Sequence, residues 1–123
     1  MKAPDFVSLS NEQLAQQFAE LSLQEFDAEL GSNTKAVIRL ARARIAISST
    51  LKARTPDGRI ALVPLLDHKN PQVRLNAAES LAGFDRDRAV ATLRDLHRSA
   101  PSAQRGAAGV ALHLIEKGIA TLD

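Results

Sequence analysis

Residues 62–81 read LVPLLDHKNPQVRLNAAESL, and two helices joined by a short turn are written into that stretch. Asn70 is a good N-cap and Pro71 stands where proline is favoured, at the first helical position, so a helix should start there and carry Val73, Ala77, Leu81 and Phe84. Before it, the turn cluster Thr55, Pro56, Asp57 and Gly58 precedes Ile60, Leu62, Val63, Leu65 and Leu66, which predict a short apolar helix interrupted by Pro64. The pattern then repeats with a period of 31. Leu62, Leu65, Arg74, Ala77 and Leu81 recur as Leu93, Leu96, Arg105, Ala108 and Leu112, each at the same place in a helix–turn–helix unit. Self-similarity over such a period is the mark of a solenoid.

The stretch from Leu62 to Leu81 resembles a HEAT repeat. Its most specific part is Asn70-Pro71-Gln72-Val73-Arg74 followed by Ala77-Ala78 and Leu81. The second unit is weaker, because Ser102-Ala103-Gln104-Arg105 replaces that run, and the resemblance fades outward from 57–84 as it does where terminal repeats act as caps. The whole chain is similar to a bacterial family of small stand-alone HEAT-like proteins, domain of unknown function 2019. The resemblance implies an all-α, two-layer right-handed solenoid of about three helix pairs, covering about 11–54, 57–84 and 85–118, as one domain over 1–123. It also implies an aspartate six residues before Arg74, forming a ladder between repeats. His68 stands there instead, a departure from that ladder.

Working outward, Ser10 followed by Gln13 makes a capping box with Leu9 and Leu14 as its hydrophobic staple, and predicts a helix from Asn11 carrying Leu14, Phe18, Leu21, Leu23, Phe26 and Leu30. Gly31, Ser32 and Asn33 end it and cap a second helix from Thr34 to Arg54. Asp85 or Asp87 caps a fifth helix with Val90, Leu93 and Leu96 on one side. A break at Ser99–Ser102 precedes a sixth with Ala103, Ala107, Val110, Leu114 and Ile115. Nothing reads as a strand.

Charge is unevenly placed. Six acids against Lys2 give the first 33 residues a net −5, whereas residues 34–59 set seven bases against Asp57, a net +6. Two mutually attracting helices are the plainest explanation.

The second helix carries the best functional hint. Val37, Leu40, Ala41, Ile45, Ile47 and Leu51 fill about half its circumference, which predicts packing on two sides. Lys35, Arg39 and Arg42 form a basic ridge on the other side, with Ser49 on the same stripe. In a two-layer solenoid that ridge and Gln72, Asn76 and Glu79 would line one concave groove; a solvated polar face is the plainer alternative. Arg44 falls inside the apolar arc, so it should snorkel outward or meet Glu20, Glu25 or Asp27 of the first helix. Arg74, at the edge of its own helix's apolar arc, is expected to be structural through hydrogen bonding, with ligand contact as the alternative.

Length and composition exclude much. A chain of 123 residues with 45% apolar residues builds one ordinary core, and a net charge of +2 marks neither a polybasic tail nor an acidic disordered segment. No cysteine means no disulfide scaffold or thiolate metal site, and a reducing, cytoplasmic setting is expected. No apolar run approaches a bilayer span, so no membrane partner is expected. His68, His97 and His113 lie in separate elements without ligand spacing, so no metal and no cofactor are expected. His97 takes the repeat position of Leu66 and should be a partly buried side chain satisfied by a backbone carbonyl. Gly106 and Gly109 should let helices approach closely. With no nucleophile elbow, the reading is not an enzyme, although bilin-attaching lyases also carry HEAT-like repeats.

The expected function is a non-catalytic module binding a protein or peptide along a concave helical face. The alternative is nucleic-acid backbone binding by Lys35, Arg39, Arg42, Lys52 and Arg54, as some larger HEAT-like DNA glycosylases bind backbone. A homodimer is a further alternative, although the acidic first helix reads more as a cap.

Overall fold

A computed structural model describes residues 6–118. Over that range the chain is all-α, with five α-helices and one 3₁₀ helix and no strand among the described residues. The helices are α1 (Asn11–Leu30), α2 (Thr34–Lys52), a 3₁₀ segment (Gly58–Asp67), α3 (Pro71–Leu81), α4 (Arg86–Ser99) and α5 (Ser102–Glu116). The apolar stretch around Pro64 is 3₁₀ rather than α: in an α-helix the proline ring would clash with the carbonyl four residues back, that of Ile60, besides supplying no N–H.

Helix starts follow the caps written in the sequence. The Ser10 N–H donates to Gln13 Oε1 at 2.8 Å while the Gln13 N–H donates to Ser10 Oγ at 3.1 Å, closing the capping box. Asn33 Oδ1 accepts from the Ala36 N–H, and Asn70 Oδ1 accepts from Gln72 and Val73 at 2.8 and 3.3 Å. Asp85, not Asp87, caps α4 by accepting from the Arg88 N–H.

Contacts divide the chain into two compact units, Met1–Ala61 and Leu62–Asp123. In the first, α1 packs against α2 around Leu14, Phe18, Leu40, Ile47 and Leu51, none more than 4% exposed. Leu23 and Leu30 do not join that core and are 38% and 71% exposed. In the second, α3 packs on α4 and α5 around Val73, Ala77, Leu81, Leu93 and Leu96.

The inward face of α5 differs from its sequence reading. Gln104, Ala108, Leu112 and Ile115 are buried, whereas Ala103 is exposed and Val110 is 61% exposed. Small apolar residues on several faces of α5 left its orientation undecided by pattern, and a buried amide partner fixes it, as described below.

Candidate functional site

The orientation of α2 is set from inside. Leu40, Arg44, Ile47 and Leu51 form its buried line, and Arg44 sits in the middle of it, 9% exposed. Its Nε donates to both carboxylate oxygens of Glu25, 3% exposed, at 3.2 and 3.1 Å, and its guanidinium carbon lies 6.0 Å from the centre of the Phe18 ring. Of the three acids considered for Arg44, Glu25 is the partner. A buried charge pair of this kind contributes little net stability, but loss of one member takes its charge partner from the other, at about 3–5 kcal/mol. The pair therefore pins which face of α2 turns inward.

The opposite face is left to solvent. Lys35, Arg39, Arg42 and Ser49 are all exposed, and among the described residues none of the three bases makes a hydrogen bond or ion pair. Packing on two sides is not found: Ile38 and Ile45, one behind the other at seven-residue spacing, are 47% and 54% exposed alongside the bases. A helix that already buries an ion-paired arginine, isoleucine and leucines on one side has no neighbour in its unit for a second apolar row.

Gln72 and Asn76 are not an open polar row. The Gln104 side-chain amide donates to Gln72 Oε1 and the Gln72 amide donates to Asn76 Oδ1, both at 2.9 Å, with Asn76 and Gln104 each 2% exposed. Buried amides must find partners, and these three satisfy one another between α3 and α5. Their burial removes Asn76 from any exposed groove surface. Gln104 was missed by the sequence reading, although it stands 31 residues after the buried Val73.

Arg54 also leaves the basic ridge. It donates to the carbonyls of Phe6, Val7 and Leu9 at 3.1, 3.4 and 2.7 Å and to Asn11 Oδ1 at 2.7 Å, tying the segment before α1 to the end of α2. Among the described residues the Arg74 side chain finds no hydrogen-bond partner for its buried Nε, and it lines a cleft of about 340 Å³ with Leu66, Asp67, Ala91, Thr92 and Asp95.

The family of this chain is decided by comparison of its whole length. The family described as Domain of unknown function (DUF2019) matches residues 12–116, from α1 to the end of α5. The chain belongs to that family. This DUF2019 domain is also similar to the crystal structure of the protein RPA1889 from Rhodopseudomonas palustris CGA009, with 31% identity, a TM-score of 0.92, and coverage of 97% of this chain and 98% of that one. No curated protein matches it.

Several other polar groups of the DUF2019 domain do local work. His68 Nδ1 accepts the Asn70 N–H at 3.0 Å, so the histidine in the ladder position supports the N-cap of α3. His97 Nδ1 lies 3.1 Å from the Arg105 carbonyl as expected, but on an exposed rather than partly buried side chain. Gly109 does permit close approach, since a Cβ there would meet the His97 ring at 2.7 Å, whereas a Cβ on Gly106 meets nothing within 4 Å. Asp57 accepts from the Arg59 N–H, Nε and Nη2, and the Arg59 side chain holds its carboxyl below the ordinary carboxylate value. Among the described residues no three His, Asp or Glu side chains gather as a metal-binding group, and no helix is long and apolar enough to cross a membrane.

Proposed function

We propose that this chain is a non-catalytic protein-interaction module of the α-solenoid type, working in the cytoplasm, with the outward face of α2 as its docking surface. The 31-residue period and the HEAT-like stretch at 62–81 support the solenoid reading, as does the packing of α3 on α4 and α5. The docking surface rests on one observation: two half-exposed isoleucines lie alongside three bases whose side chains make no hydrogen bond or ion pair among the described residues. Protein interfaces combine an apolar centre with a polar, arginine-containing surround, and that is the composition of this face. Phosphate-backbone contacts call for the bases and have no use for exposed Ile38 and Ile45.

A photo-crosslinking residue in place of Ile45 tests the reading in the living cell. The expected adducts are destroyed by protease, resist nuclease, and disappear when Ile38 is changed to serine. Nuclease-sensitive adducts would overturn it in favour of nucleic acid. So would fluorescence-anisotropy binding of generic duplex or single strands that falls steeply with salt and vanishes in the K35E/R39E/R42E variant.

A further inference from the structure

The outward faces of α1 and α2 carry the same pattern with opposite charge. On α2, Lys35, Ile38, Arg42 and Ile45 stand at positions i, i+3, i+7 and i+10. On α1, Glu20, Leu23, Asp27 and Leu30 stand at the same four positions. Each set follows one side of its helix over about 15 Å, so base–apolar–base–apolar on one helix matches acid–apolar–acid–apolar on the other, position for position.

All eight side chains are exposed, the apolar four by 38% to 71%. Among the described residues, the side chains of Glu20, Asp27, Lys35 and Arg42 have no hydrogen bond or ion pair. The attraction that the sequence suggested between these two helices is realised inside the molecule by Arg44 and Glu25, and the matched outer charges stay unpaired.

Helix stability does not explain the placement. Lys35 is in the first turn of α2, and Asp27 and Glu29 are in the last turn of α1, the ends where the helix dipole disfavours each sign. Charges that break a local rule in this way point to a use beyond the fold.

We infer that the occupant of the α2 docking face is a second copy of this chain, whose α1 stripe lies along it with Glu20 facing Lys35, Leu23 facing Ile38, Asp27 facing Arg42 and Leu30 facing Ile45. This rests on the reading of α2 as a protein-docking surface and names its partner. Every copy carries both halves of the contact. Two copies therefore exchange them about a two-fold axis, or one copy passes the contact on to a third. The contact is short by the standard of stable dimers, so association is weak, in the micromolar range or above.

Sedimentation equilibrium of the full chain tests this with two variants, E20K/D27K and K35E/R42E. The native chain should associate reversibly with concentration, and more weakly at high salt. Each variant alone, with like charges on both stripes, should associate at least about tenfold more weakly. An equimolar mixture of the two should recover association, because the basic α2 of one meets the acidic α1 of the other. All four positions are exposed, so helix content and melting temperature should stay native in both variants.

A native chain that sediments as a monomer at every concentration, or a mixture that stays monomeric, would overturn the inference. If such a monomer still formed protease-sensitive adducts through position 45, the docking face would stand with a different partner. If those adducts were also missing, both readings would fall together.

Discussion

The two units place their buried polar groups in different chemistries. Between α1 and α2 the link is a charged pair, Arg44 with Glu25, beneath outer acids and bases that are unpaired among the described residues. Between α3 and α5 it is a neutral chain of amides, Gln104 to Gln72 to Asn76. A charged pair is unforgiving, because either member alone is a buried charge, whereas an amide left unpaired costs only its own desolvation. The first unit therefore holds its faces more strictly, and it is the unit whose outer faces carry a pattern.

Arg44→Ala should give the largest effect, about 3–5 kcal/mol, read as a lower melting temperature. Replacing both partners by apolar residues, R44M with E25L, should recover most of that loss, and failure to recover would show that the pair does more than satisfy itself. Gln104→Leu in the other unit should cost less, about 1–3 kcal/mol in a denaturant titration, since it strands one acceptor of Gln72. A loss equal to that of Arg44→Ala would erase the contrast.

Asp57 gives a smaller, pH-dependent effect. Its carboxyl is held below its ordinary value of 3.8, mainly by the hydrogen bond from the Arg59 side chain. The stabilisation is thus fully present above 3.8 and fades as pH falls through the lower folded value. Asp57→Asn should lower stability at neutral pH and flatten the acid limb of a stability-against-pH curve. The smallest expected change is a gain: Gly106→Ala places a methyl in open space on a helix and should add about 0.5–1 kcal/mol to thermal stability. Gly109→Ala should not, because its methyl displaces the His97 ring.

Local signals in the sequence were the legible ones. Ser10, Asn33 and Asn70 mark helix starts because a cap acts within three residues of itself. Arg44 was legible as an anomaly, a charge inside an apolar arc that had either to snorkel outward or to meet an acid of α1, and Glu25 meets it. Contacts between distant positions were not. Arg54 joins groups 43 to 48 residues earlier, so its place among the surface bases looked ordinary until the fold brought it to the Phe6, Val7 and Leu9 carbonyls.

Where apolar residues outnumber inward positions, periodicity cannot choose among them. Val110 on α5 and Ile45 on α2 both fit an apolar arc and both lie outside. Gln104 and Arg44, the polar side chains buried with exact partners, decide the rotation in each case. The candidate site was half legible as a result: the bases Lys35, Arg39 and Arg42 could be read from spacing, whereas the exposed isoleucines beside them could not.

Those isoleucines carry the central claim, that the outward face of α2 docks protein and that the protein is a second copy of this chain. Sedimentation equilibrium of an I38S/I45S variant, with every base of the face intact, tests it most directly. The account predicts that the variant keeps its helices and melting temperature but sediments as a monomer where the native chain associates. Undiminished association would contradict it.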